Sequence, residues 1–317
     1  MKAHWRLFFL GSLLGGGSPY ARTRMLIGAV MISFSGVWVK VCHVTPSASA
    51  FYRVLIGGMF LLAAAWCNRE VKRFGVRHLL LGLLCGLFFS VDLVCYHTSI
   101  RYVGPGLGTI LPNFQVFILA VVGGIFLGEK VRPVALLTMP VAVAGLFLVM
   151  GYNWQEFDTL YRIGVCAGLA AAVFYSLFLL SLRKLQSEQG KTGGYYVLMT
   201  VSFISAGFLG LEMLRTGDSF QIPDFQSMGA LVALGLFSQA AGWILIANAL
   251  PHVRAALSGL ILLLQPALSF VWDVLFFQRP TSIVNWIGVG IVLAAIYLGA
   301  MGSNAAKRPG PAVKRPG

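Results

Sequence analysis

From about residue 25 to residue 302 the chain is a succession of apolar runs, most of them near the 20 residues that a helix needs to cross hydrocarbon, separated by short polar breaks. This pattern constrains the fold more than any motif does. Hydrocarbon offers no hydrogen-bond partners, so a backbone immersed in it must satisfy its own N–H and C=O groups, and runs of this length do so as helices. Charges and clusters of Gly, Pro and Asn divide the chain into ten spans, at about 25–41, 47–67, 79–100, 104–127, 132–151, 162–182, 193–214, 229–249, 255–277 and 283–302. The expected fold class is an all-α integral membrane protein of ten transmembrane helices. Composition agrees: 58% of residues are hydrophobic and 11% charged, with mean hydropathy +0.81, against about 25% charged in soluble chains.

The formal charge of +14 points to a nucleic-acid partner only if the basic residues gather on one surface, and they do not. They fall in short clusters between apolar runs, where they set topology. With the N-terminus inside, the cytoplasmic segments hold 18 of the 24 Lys and Arg residues and the opposite side holds Arg101, Arg162, Arg215 and Arg279. Both termini are therefore expected in the cytoplasm, with the protein multi-pass in a cell inner membrane. Residues 1–24 read as a cytoplasmic or interfacial leader, because their apolar stretch is too short to span. Residues 303–317 repeat KRPG without an apolar face and read as a disordered basic tail. The five cysteines form no C-x-x-C pair and read as small hydrophobes; no metal and no cofactor is expected.

Shifting the chain by 150 residues lays the apolar blocks at 79–151 over those at 229–301, with Val103 over Val253 and Leu107 over Leu257. Each half, 25–151 and 152–302, then holds five spans. An odd number turns the second half upside down relative to the first, the inverted-repeat plan of secondary transporters.

Three stretches carry a family resemblance. "SFSGVWVK…TPSASAFYRVLIGGMFL" resembles the opening helix pair of the EamA type within the drug/metabolite transporter superfamily, with Lys40, Pro46 and Arg53 in matching places. "LPNFQVFILAVVGGIFLGEKV" resembles that family's fourth helix with its Gly-Glu ending, and "AALSGLILLLQPALSFVWDVLFF" its ninth with a central proline. Two departures stand out: Pro112 precedes the register of Pro266 by about a turn, and Phe277-Gln278-Arg279 replaces a Gly-Glu pair. The resemblance implies a ten-helix carrier with a central cavity lined by helices 1, 3, 4, 6, 8 and 9.

Ionisable groups inside a membrane cost about 2.5–3.5 kcal/mol each on insertion scales, so each is a functional candidate. In the third span Asp92 shares a helix face with Tyr96 and Ser99, whereas His97, about 140° away, shares one with Leu93 and Arg101 near the outer surface. By rise per residue, Asp92 lies roughly 12 Å from the outer end of its span and Arg53 roughly 9 Å from the outer start of the second. Asn113 falls at a similar level, so Arg53, Asp92 and Asn113 are expected in one layer, as a structural ion pair or as a substrate or proton site. Pro112 with Asn113 and Gln115, and Pro266 with Gln265, mark helices whose freed carbonyls face a cavity. Gln239 and Trp243 form an i,i+4 pair in the eighth span, and Tyr175 is a further cavity candidate. Lys40 is expected to snorkel, Glu129 to pair with Lys130, Asp273 to be interfacial, and Trp154, Tyr161 and Trp286 to sit in the interfacial belt. Glycine pairs 82/86, 104/108, 124/128 and 164/168 are expected to allow close helix packing.

The substrate-binding set is thus Asp92, Tyr96, Asn113, Gln115, Tyr175, Gln239, Trp243 and Gln265, with Arg53 and Asp92 as the coupling pair. The expected activity is secondary transport of a small polar metabolite, an amino acid or related solute, by alternating access, as an exporter with or without proton coupling. The alternative is import or exchange of a nucleotide-like cofactor such as S-adenosylmethionine. A multi-span enzyme or a channel fits poorly, since no His-rich motif, paired inner-loop carboxylates or large soluble loop is present. The expected partners are the bilayer and a small-molecule substrate, with the chain a monomer or homodimer and no nucleic acid.

Overall fold

The computed structural model describes residues 19–70, 76–129, 133–150, 159–189, 194–278 and 280–302. Lys130, Trp154, Arg279, residues 1–18 of the leader and the tail lie outside these. In chain order the elements are α1 (Pro19–Ser33), α2 (Ser35–Val41), α3 (Pro46–Cys67) and α4 (Val76–Ile110), then a 3-10 turn (Leu111–Phe114). They continue with α5 (Gln115–Ile125), α6 (Pro133–Met150), α7 (Thr159–Gln189) and α8 (Gly194–Thr216). After these come α9 (Phe225–Ala233), a π-helical segment (Leu234–Gly242), α10 (Trp243–Ala249), a 3-10 turn (Leu250–His252), α11 (Ala255–Leu262), α12 (Leu264–Phe277) and α13 (Ile283–Gly302).

Seven stretches of described helix are long and apolar enough to cross a membrane, and three shorter apolar helices (Leu111–Ile125, Leu136–Val149 and Ile283–Leu298) accompany them. Several boundaries move, among them the end of α7, at Gln189 where 182 was expected. The first helix begins at Pro19, not at residue 25, and takes in Arg22 and Arg24. Helix α4 runs to Ile110, past the end expected at residue 100.

Helix starts follow the local chemistry. Thr45 caps α3 by accepting from the Ala48 N–H, with Pro46 at the first helical position, where its missing N–H costs nothing. Asp224 caps α9 through the Ser227 N–H at 2.7 Å and also meets His43 Nδ1 at 2.8 Å, clasping the loop after α2 to α9. The His43 contact first, and then the Ser227 N–H, hold the Asp224 carboxyl below the usual carboxylate range. A group depressed in the folded state adds stability above its unfolded pKa, near 3.9, and loses it as pH falls through the folded value. The melting advantage of the wild type over Asp224→Ala should therefore be full at pH 7 and shrink below about pH 4; equal advantages at pH 7 and pH 3 would contradict this.

Helix ends are equally legible. Gly128 after α5 and Gln278 after α12 both take left-handed backbone, with φ of +62° and +50°. Glycine adopts this freely and glutamine does not, so Gln278→Gly should stabilise the protein by about 1 kcal/mol, read as a rise in melting temperature. Gly128 thus ends a helix and does not pack as half of a 124/128 pair.

The helices pair across the two halves of the chain: α3 with α8, α4 with α7, α5 with α11, α6 with α13, and α1 with the π segment and α10. Helix α4 and the start of α5 pack on α7 in opposite directions. Cys85 lies at Phe178 and Gly164 at Tyr102 and Val103, after which Leu111 returns to Gly168 and Glu129 to Arg183. The chain therefore reverses between Val103 and Leu111. Small residues make these approaches possible, since a Cβ on Gly86, Gly164 or Gly168 would lie 2.5–2.7 Å from a neighbour. Gly145 and Gly288 do the same between α6 and α13, each facing the other's carbonyl oxygen.

Burial is arranged for an apolar solvent. Ile125, Phe126, Leu137, Leu214 and Ile283 are mostly exposed, whereas Asp92, Gln115, Ser202, Ser205 and Gln239 are buried. All five cysteines are free, Cys42 and Cys85 buried and Cys67 and Cys166 exposed, so only part of the set behaves as core.

Candidate functional site

The interior site begins at Arg53, seven residues into α3. Its Nε donates to Gln239 Oε1 at 3.2 Å, and Gln239 Nε2 donates on to Ser202 Oγ at 3.1 Å. Gln239 lies in the π segment, where the helix widens, a deformation found often at functional sites. Both ends of the Gln239 amide are thus engaged by protein. Its geometry is that of a residue orienting the guanidinium, not of a direct ligand for a solute.

The reason this glutamine fits lies on α3. A Cβ on Gly57 would stand 2.4 Å from Gln239 Cγ and 2.5 Å from its Cβ. Gly57→Ala should push Gln239 away from Arg53 and lower transport by roughly 10–100-fold, the scale expected for a misplacement near 1 Å. A folded Gly57→Ala protein with wild-type uptake rates would refute the orienting role.

Around the guanidinium gather the groups anticipated from helical phase. Arg53 interacts electrostatically with Tyr175, Asp92 and Tyr96. Asp92 is 7% exposed. The two opposite charges act across space without a direct ion pair, in contrast to Arg183–Glu129 at 2.7 Å. The Tyr175 hydroxyl adjoins the Gln265 amide, while Gln265 Nε2 makes no hydrogen bond of regular geometry. Tyr175, Phe178 and Trp243 form an aromatic wall, with ring centroids 5.0–6.4 Å apart and the Trp243 N–H unpartnered.

Asp92, Tyr96, Tyr175, Gln239, Trp243 and Gln265 therefore cluster with Arg53. Two candidates do not join them in any hydrogen bond. Asn113 Nδ2 donates to Thr109 O at 2.7 Å, tying the 3-10 turn to the end of α4. Gln115 is fully buried and donates to Gly259 O at 3.4 Å, tying α5 to α11, with its Oε1 unpartnered. His97 corrects the expected separation of faces: its ring stands 5.6 Å from that of Tyr96, and it too feels Arg53. Ser202, which accepts from Gln239, was not anticipated. Among the described residues no group of His, Cys, Asp and Glu could hold a metal.

At the helix ends the polar ties reach partners distant in sequence, and Lys130, the expected partner of Glu129, lies outside the described residues. Glu129 bonds Arg183 through Oε1 and the Ala255 N–H, the start of α11, through Oε2 at 2.8 Å. Lys40 does not merely snorkel. It pairs with Asp273 at 2.6 Å and lies 4.3 Å from the centre of the Phe277 ring.

The EamA-like transporter family model matches residues 23–151 and again residues 162–301. The chain belongs to the EamA-like transporter family. The pseudopaline exporter CntI of Pseudomonas aeruginosa (strain UCBPP-PA14) is 25% identical over 279 residues, covering 85% of this chain and 94% of that one. The uncharacterized transporter YwfM of Bacillus subtilis (strain 168) is 24% identical over 261 residues, covering 80% and 84%. A solved crystal structure shares the fold, with a TM-score of 0.77, 18% identity, and coverage of 89% of this chain and 96% of that one. As an EamA-like protein with several apolar helices, the chain is a multi-pass membrane transporter.

Proposed function

We propose that this EamA-like protein is a secondary carrier that exports a zwitterionic solute, an amino acid or a relative of one, across a cell inner membrane. The observation that carries this reading is the pair of opposite charges, the buried Asp92 and the partly buried Arg53, that interact without forming an ion pair. In a low-dielectric interior such charges attract strongly, so the packing that holds them apart leaves a place for a ligand to bridge them. A zwitterion completes it, with its carboxylate on the Arg53 guanidinium and its ammonium on the Asp92 carboxylate. The Trp243 N–H adds an unpartnered donor, close to Tyr175 and the Gln265 amide that adjoins it. The pseudopaline exporter among the relatives agrees with the direction chosen.

The architecture proposed with it is ten spans in two inverted halves, both termini in the cytoplasm. The double match of the family model supports it, as do the pairings of α3 with α8, α5 with α11 and α6 with α13, each a span with its counterpart five spans later. The left-handed caps at Gly128 and Gln278 stand 150 residues apart, the same offset that superposes the apolar blocks. The halves would rock about the site to expose it alternately. Counterflow in proteoliposomes tests the whole: preloaded neutral amino acids should drive saturable uptake of labelled ones. Absence of exchange across a broad amino-acid panel would sink the substrate class, and absence across all solutes the carrier itself.

A further inference from the structure

The two strong ion pairs at the helix ends have the same plan. Lys40 ends α2, the close of the first span, and Asp273 lies in the last turns of α12, the close of the ninth. Arg183 lies near the end of α7, the sixth span, and Glu129 just past α5, the fourth. In repeat terms each pair joins the first helix of one half to the fourth helix of the other. The residues are not in register, since Gly128 and Gln278 are the matching caps. The elements correspond all the same.

They also sit at opposite ends of the protein. Glu129 and Arg183 share their end with Ala255, with Glu70 bonded to the Tyr195 N–H, and with Arg77 on Glu188. Lys40 and Asp273 share theirs with the His43–Asp224 clasp and with Tyr52 bonded to Phe220 O. Beneath Lys40 the closure is aromatic: Phe34 stacks on Trp272 at 4.3 Å, and Trp272 Nε1 donates to Ser33 Oγ at 2.7 Å.

We infer that Lys40–Asp273 and Arg183–Glu129 are two repeat-related latches, one at each end of the site, that open in alternation as the protein works. This rests on the carrier reading above. Each tie crosses between halves, so neither survives a rocking motion that parts the halves at its end. The latches are unequal. Arg183 and Glu129 are 20% and 11% exposed and share a backbone N–H, whereas Lys40 and Asp273 are 51% and 25% exposed. The Glu129 end is therefore the one more firmly shut at rest.

Electron-electron distance measurements on the full-length chain test this, in a variant whose five native cysteines are replaced by alanine. Nitroxides at positions 127 and 184 report the Glu129 end, and others at 39 and 275 the Lys40 end. Glu129→Gln keeps an acceptor for the Ala255 N–H but loses the charge. It should raise the long-distance population at its own end roughly three- to tenfold, the scale of a partly exposed pair, and shorten distances at the other. Lys40→Gln should do the reverse, and the swap Lys40→Asp with Asp273→Lys should restore the wild-type distribution. Unchanged distances at both ends in monodisperse protein, or both ends opening together, would overturn the latches. Counterflow in parallel separates the failures: transport with unmoved distances refutes the latches alone, and reciprocal distances without transport refute the carrier reading alone.

Discussion

Asp92→Asn should abolish exchange of zwitterionic solutes and cost about 3–5 kcal/mol of stability, the range for removing one partner of a buried charge pair. The substitution leaves Arg53 held by Gln239, which is itself tied to Ser202, and removes the carboxylate that interacts with it. A guanidinium cannot shed its charge. Arg53→Gln should also stop transport but cost less, because a carboxyl left alone can take up a proton. The double variant should recover much of the stability and none of the transport, which separates a substrate site from a packing pair. Melting temperatures together with counterflow rates for the four proteins supply the cycle. Full exchange in folded Asp92→Asn would remove the aspartate from the mechanism and leave it a structural counter-ion.

Gly288→Leu should cost about 3 kcal/mol, at the upper end for overpacking, and do so without touching the site. A single Cβ at Gly288 would fall 2.6 Å from Gly145 O, 2.8 Å from the Val149 N and 2.9 Å from Leu148 Cβ. Two of those atoms are backbone, so no rotamer change relieves the clash and α6 must move away from α13. Asn285, whose amide bonds Leu148 O and Val149 O, would lose that anchorage at the same time. Thermal unfolding in detergent should register the loss, while solute affinity in the surviving folded fraction should hold. A neutral effect would mean that α6 and α13 are less tightly joined than their backbone contact implies.

The sequence was most legible where solvent dictated the answer. Long apolar runs, a proline after Thr45 and an aspartate before α9 each forced a local structure, and the helices formed there. Helical phase put Tyr96 on the face of Asp92, and depth put Asp92 at the level of Arg53, because an apolar helix turns its few polar residues away from lipid; Tyr175 and Gln265 were named as cavity candidates on other grounds and lie in the same cluster. Phase reports direction from one axis only. It could not say that the Asn113 amide would bond back to Thr109, or that His97 would also feel Arg53. Partners distant in sequence were also beyond it: Glu129 meets Arg183 and the Ala255 N–H, neither of which its own neighbourhood in the chain points to. The close glycines were partly legible. Spacing picked out Gly164 and Gly168 but not Gly57, whose role depends on a glutamine nearly two hundred residues away.

The inequality of the two end ties has a consequence for how surroundings act on this protein. Lys40 stands half in solvent, and Arg183 does not. Mobile ions screen charges over about 8 Å at physiological strength and over about 3 Å at 1 M, and they reach an exposed pair far more readily than a sheltered one. Raising the ionic strength therefore loosens one door and spares the other. On the latch proposal, the salinity of the compartment that meets Lys40 would then act as a dial on the resting orientation, set by the medium and not by any bound effector.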